Sequence, residues 1–435
     1  MKGSNSNDKF AITTRDRFVA DSLNLEIAGG PLNDPGIAVN GSHTVIDAIT
    51  VTSKTPDQPG LYALYVGDES AQKSNIRING IALTGFRAPM RVINVTESRF
   101  SNATIRNFQT GVYVQDTTDT TFDKFKVTGT SPDAEGVPGQ NGLLLEAKYV
   151  DYGCRNLRFR DWIVDGSPEH NYRIGGACTV GDITFEDCIS RNPGNATKKL
   201  ATGGAAFKVL GNAGHRHKNI RLVNCSAEDG STTGNGVNNF SQYSFGHIDG
   251  LTVINPTLRA WNKTYSGQHG LIVFACTNVD IVEPNIRDVL RNAIMIFKDA
   301  TEITPPFGVS NLRINGGFLD GGSTNNVILL DDKSAVMKDI FIDDVVVSRG
   351  GAALRSEAPP EGTVGAYENV HVRLKYINAP TASTNPPVTG TNLVTVDYTG
   401  PIYGTYSIPS KDGGKYLNTG NGSRYIRKAS AWVQE

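Results

Sequence analysis

Short runs of alternating apolar and polar residues recur along this chain, and nearly every one opens on Asn or Asp. Eleven such phrases begin at residues 75, 97, 119, 156, 182, 219, 250, 278, 311, 339 and 369. Examples are NIRING from Asn75, NLRFRDW from Asn156, DITFEDC from Asp182 and NLRINGG from Asn311. The fourth residue is apolar in all eleven, from Ile78 and Phe100 to Ile342 and Val372. The second is Ile, Leu or Val in nine, and the third is mostly polar, as in Arg77, Arg158 and Arg313. This period-two alternation predicts a strand with one face inward and one outward. An apolar residue returns at the ninth position, as in Leu83, Val127 and Leu319, which predicts a second strand after a bend. A third apolar run follows in each unit, such as GVYVQ from Gly111, NYRIG from Asn171 and AAFKVLG from Ala205.

Units of 22 to 37 residues, each with three short strands and loops of varying length, cannot bury an apolar face alone and must stack. The expected fold is all-β: a single-stranded right-handed parallel β-helix with a small β-rich C-terminal cap. Regularly spaced leucines are absent, which argues against leucine-rich repeats. Few hairpin signals sit where a propeller blade needs them. The aligned Asn and Asp are expected to hydrogen-bond backbone at the bends. The boundaries read as 1–43 for an entry or cap segment, 44–377 for the β-helix, and 378–435 for a linker and cap or association element.

The net charge of −1 argues against nucleic acid as the main partner. No stretch is apolar enough to span a membrane, and MKGSNSNDKF has no apolar signal core. Of the five cysteines, Cys188 and Cys225 hold the seventh phrase position, where Trp162 stands one unit earlier. That pattern predicts free buried thiols and a structural Trp162. No Cys or His spacing suits a metal, so no cofactor is expected.

Stacked coils place outward residues in ladders able to grip a linear polymer. Aligning Val112, Leu143, Tyr172, Phe207, Val237 and Leu271 as inward puts Tyr113, Leu144, Arg173, Lys208, Asn238 and Ile272 outward. Glu146 is then expected on the same face as Arg173 and Lys208, as their acid partner and as proton donor or base. Long loops before these strands add Asp133, Glu135, Glu228 and Asp229, and a carboxylate pair is what glycoside hydrolysis needs. Arg173, Lys208, His170 and Tyr113 would instead suit a polysaccharide lyase, which needs a base and cations for a uronate carboxylate. The catalytic candidates are therefore Glu146, Arg173, Lys208, His170, Asp133 and Glu228. Tyr113, Asn238, Trp261, Tyr265 and His215 are candidate substrate contacts. A solvated salt-bridge ladder would carry the same residue types.

The repeat from Asn75 to Ile377, with the short β-rich C-terminal segment and the missing signal core, resembles the pectate-lyase-like parallel β-helix superfamily. Within it the chain is similar to bacteriophage tailspike depolymerases. The resemblance implies a homotrimer on the virion tail that cleaves a bacterial surface polysaccharide, a capsule, O-antigen or exopolysaccharide. It transfers no catalytic motif, and no N-terminal virion-attachment domain is evident. Endo-acting hydrolysis is the leading expectation, lyase chemistry the next, and a non-catalytic glycan-binding adhesin the rival from another class.

Overall fold

The computed structural model describes residues 12–27, 35–54, 61–130, 140–194, 204–230, 241–297, 308–322, 326–331, 337–357, 367–377, 388–389, 395–400, 415–418, 423–428 and 431–435. These residues form strands and connecting turns, with no α-helix among them. The chain divides into two units, Met1–Gly211 and Asn212–Glu435.

The first unit is a stack of coils whose strands pair only in parallel with their equivalents in the next coil. One column contains Ile12–Thr14, Pro35–Val39, Tyr62–Gly67, Met90–Ile93, Val112–Gln115, Leu143–Ala147, Tyr172–Gly176 and Phe207–Leu210. The phrase column begins with Val19–Ile27, Val45–Ser53, Arg77–Thr84, Arg99–Phe108 and Thr118–Thr130. It continues as Arg155–Arg160 with Ile163–Asp165, then Gly181–Glu186 with Ile189–Arg191. Among the described residues, coil-to-coil pairing is already present at Ile12–Thr14, ahead of the expected residue 44. The early strands lack the Asn-led phrase, which is why the repeat alone placed the start later.

The second unit repeats this plan. Ser241–Gly246, His269–Phe274, Ile294–Phe297, Asn326–Asp331, Ala352–Glu357 and Val388–Thr389 form its third-strand column. The phrase column runs from His217–Val223 to Tyr367–Ile377 and on to Thr395–Gly400. Lys415–Asn418 pairs in parallel with it, and the chain then turns antiparallel through Ser423–Lys428 and Ala431–Gln434. An antiparallel meander covers the open strand edge that a solenoid otherwise exposes.

Backbone conformation explains the Asn and Asp at the phrase starts. All eleven starting residues have φ between 48° and 83°, including Glu97 and Gly250. Asn and Asp are the side chains that enter this left-handed region most readily. Five residues later the bend repeats in nine phrases, at Asn102, Lys124, Asp161, Asp187, Asn224, Asn255, Glu283, Gly316 and Asp344. Several phrase-start side chains bond sideways to those of the neighbouring coil. Asn156 Nδ2 donates to Asp119 Oδ1 at 2.7 Å, Asn311 to Asn278 at 2.8 Å and Asn369 to Asp339 at 2.8 Å.

All eleven fourth-position residues are at most 2% exposed. Phe100, Phe122, Phe159 and Phe185 stack with centroids 5.0–5.2 Å apart. Trp162 lies flat on Phe125 at 4.3 Å and donates its indole N–H to the Phe122 carbonyl. The five cysteines are free thiols, four of them buried.

Candidate functional site

The third-strand column of the first unit carries the candidate chemistry. Register sets Tyr65, Arg91, Tyr113, Leu144, Arg173 and Lys208 side by side on successive strands. Their inward neighbours Leu64, Met90, Val112, Leu143, Tyr172 and Phe207 are buried. Strict alternation therefore turns the named ladder outward. Five steps of ~4.8 Å make this face about 24 Å long.

Two clusters form along it. At one end Lys208 Nζ lies 3.3 Å from His170 Nε2, and Glu169 Oε1 lies 3.1 Å from the same nitrogen. The Ala205 N–H donates to His170 Nδ1 at 2.9 Å, so the neutral ring carries its proton on Nε2. His170 is 2% exposed and Glu169 6%. Burial, and secondarily the cations Lys208 and Arg173, push the imidazole down to about 4, against the pull of Glu169. Burial and the Arg173 charge push the Lys208 amine down to about 8. Near neutrality the cluster thus holds a neutral imidazole, and the amine gives up its proton far more readily than an ordinary lysine. Arg173 has no carboxylate partner among the described residues, and its guanidinium lies over Gly175, where a Cβ would meet Nη2 at 3.5 Å.

The second cluster centres on Arg91. Its guanidinium lies 5.3–5.6 Å from the ring centroids of Tyr62, Tyr65 and Tyr113. It donates to Tyr62 Oη, Glu69 Oε1 and Gln115 Oε1, each at 3.0 Å. Tyr113 donates its hydroxyl to Glu146 Oε1. Burial first, then the Glu146 carboxylate, raises the Tyr113 phenol well above its ordinary range.

Glu146 therefore sits differently from the expectation. It is in register with Gln115 and Gly175, two residues beyond Leu144, and its bond goes to Tyr113. The acid near Lys208 is Glu169, linked through His170. Asp133, Glu135 and Asn238 lie outside the described residues. Val237 also lies outside the described residues, and the slots opposite Leu271 and Ile272 are held by Tyr243 and Ser244. Ile272, expected outward, is fully buried.

The remaining candidates belong to the second unit. Glu228 ends the strand Ser226–Glu228 in register with Arg259. Trp261 is exposed and Tyr265 half-buried. His215 closes a turn, exchanging backbone hydrogen bonds with Asn212 at 3.1 and 3.2 Å. Sequence reasoning missed Arg91, Tyr62, Tyr65, Glu69 and Glu169. Extending the third-strand alignment two coils towards the N-terminus, through YALYVG and MRVI, would have found Tyr65 and Arg91.

No family model matches the chain, and no curated protein matches it. Among solved structures, the chain is similar to tailspike protein 3 of bacteriophage CBA120, at 10% identity and a TM-score of 0.40. The match covers 95% of this chain and 64% of that one, so the chain spans less than two thirds of the tailspike's length.

Proposed function

We propose that the outward third-strand face of the first unit binds and cleaves an acidic bacterial surface polysaccharide. One observation carries this reading: a half-buried Lys208 and Arg173 occupy adjacent rungs, with the Lys208 amine lowered to about 8 beside a buried His170–Glu169 pair. Like charges one strand apart repel. A bound uronate carboxylate would relieve that repulsion by pairing with Arg173. The unprotonated Lys208 amine then takes the proton from the carbon beside that carboxylate. The bond to the glycosidic oxygen breaks, a carbon–carbon double bond forms, and the new ammonium returns its proton to the departing oxygen. The polysaccharide is cut by elimination, and the amine is regenerated.

The contact between Tyr113 and Glu146 favours a second reading, hydrolysis with Glu146 as acid or base. Either chemistry agrees with a tailspike-like depolymerase that acts as a homotrimer on a virion tail, as the sequence resemblance implies. Incubation with polygalacturonate, alginate, hyaluronan and host capsule, following ultraviolet absorbance of unsaturated uronate and new reducing ends, tests the proposal. Elimination gives both signals in equal amounts, and its rate rises as pH climbs through about 8. Reducing ends without absorbance would replace elimination by hydrolysis. A complete lack of new ends on host glycan would leave an adhesin.

A further inference from the structure

We propose that Trp261, in the second unit, is the platform of a separate glycan-holding site that grips a sugar ring without cutting the chain. Trp261 is 62% exposed, whereas Trp162 is fully buried. A large ring kept in water forgoes the burial that stabilises its counterpart. The loop that presents it is clamped. Asp229 Oδ1 accepts the backbone N–H of Trp261 at 2.6 Å and of Asn262 at 2.8 Å. Asp229 Oδ2 accepts Asn262 Nδ2 at 2.7 Å, and the Asp229 carbonyl accepts Lys263 Nζ at 2.5 Å. Asp288 Oδ2 accepts the Ala260 N–H at 3.3 Å. Asp229 is itself 4% exposed. A buried carboxylate thus spends its bonds on the backbone that holds up an exposed indole.

The surroundings specify the ligand. The Arg259 guanidinium lies 5.4 Å from the Trp261 ring centroid and backs the indole as a cation–π partner. Asn262, Lys263 and Thr264 are exposed polar neighbours. Trp261 is the one exposed large hydrophobic side chain of its loop, whereas a contiguous apolar patch is the usual mark of a protein-docking surface. One rigid aromatic ring ringed by hydrogen-bonding side chains suits a pyranose, which offers a flat C–H face and hydroxyls at its rim. A clamped loop loses little conformational entropy when it binds, so the indole is ready to stack.

The identity of the ligand as the same polysaccharide rests on the function proposed above, but the site does not. Electrophoresis of the full chain in gels cast with alginate, polygalacturonate, hyaluronan or dextran measures binding apart from cleavage. At least one of these glycans should retard the wild type. Trp261→Ala should weaken that retardation about ten-fold, equivalent to ~1.4 kcal/mol. Trp261→Phe should keep most of it, and Asp229→Asn, which loosens the loop but leaves the indole, should fall between. Retardation of Trp261→Ala equal to wild type, or no retardation of the wild type by any of the four, overturns the site. If Lys208→Met abolishes product while Trp261→Ala binds normally, the site fails and the depolymerase stands. If Trp261→Ala binds weakly and no product ever forms, the depolymerase fails and the site stands.

Discussion

The two units carry charged ladders of opposite character. In the second unit Arg373 pairs with Asp343 at 2.5 and 2.8 Å and with Asp344 at 3.1 Å, all three side chains about half exposed or more. Arg349 is likewise held by Asp320 and Asp288. Both cations have their acids, and around Arg373 water screens the pairs, whereas Asp320 is itself buried. In the first unit Arg173 and Lys208 sit in register with no carboxylate ion-paired to either among the described residues, and Glu169 is engaged by His170. The same coil geometry builds both ladders, so architecture does not explain the difference. Paired, solvated charges keep a sheet face soluble, whereas adjacent half-buried cations oppose folding and make sense where an anion binds.

The largest expected effect lies at Lys208. Lys208→Met should lower the rate of unsaturated product formation by roughly 10²–10⁴, the usual loss on removing a general base. Removal of a desolvated cation should leave the fold intact, with an unfolding midpoint in urea no lower than wild type. A matching loss of activity from Arg373→Ala would break the distinction between the ladders.

Next in size is the packing beneath the site. Tyr172 and Phe207, the inward neighbours of Arg173 and Lys208, stack at 4.5 Å with planes 1° apart. Tyr172 also donates its hydroxyl to the Trp162 and Ile189 carbonyls at 3.2 and 3.0 Å. Phe207→Ala should destabilise by about 3–5 kcal/mol, read from urea unfolding of the full chain. A cost below ~1 kcal/mol would mean the rings do not support the ladder above them.

Sequence and structure agree most closely where the repeat is strictest. The fourth-position residues could be assigned inward because burial and alternation act on every coil alike, so eleven weak signals reinforce one another. The register of Tyr113, Leu144, Arg173 and Lys208 followed from the same logic. The alignment failed at the slot opposite Leu271, given to Val237 on sequence, where Tyr243 is the residue that pairs. Glu146 was assigned to the correct strand but the wrong partner. Which neighbour a carboxylate reaches depends on side-chain length and direction, and alternation specifies only the face. The pairing of His170 with Glu169 and Lys208 was invisible, because it arises where the turn before one strand meets the next coil.

Titration separates the two ladders further. The Lys208 amine is lowered to about 8 in the folded chain, against an ordinary value of 10.5. Between these values the unfolded chain binds the proton and the folded chain does not, so stability should rise with pH from about 8 to about 10.5. Below about 8 both states are protonated, and the cost of burying the cation is present in full. His170, lowered to about 4 from 6.5, gives the same sign on the acid side, with stability falling as pH drops from 6.5 towards 4. Urea midpoints of wild type and Lys208→Met across pH 7–10.5 should differ in slope over the upper window. Parallel curves would show that Lys208 titrates as a solvated amine.

The smallest effect belongs to the paired ladder, and its size matters as much as the others. Arg373→Ala removes a guanidinium that touches two carboxylates, yet Arg373 is exposed and its partners stay hydrated when it leaves. Exposed ion pairs return ~0–1 kcal/mol because side-chain ordering and screening offset most of the attraction. Arg373→Ala should therefore leave the urea midpoint close to that of the wild type in low salt, and raising the ionic strength should shrink what difference remains. A large drop in the midpoint, as when a buried pair is broken, would mean that this edge is covered in the assembled protein. The contrast would then lie between two buried ladders, one neutralised from within and one awaiting its anion.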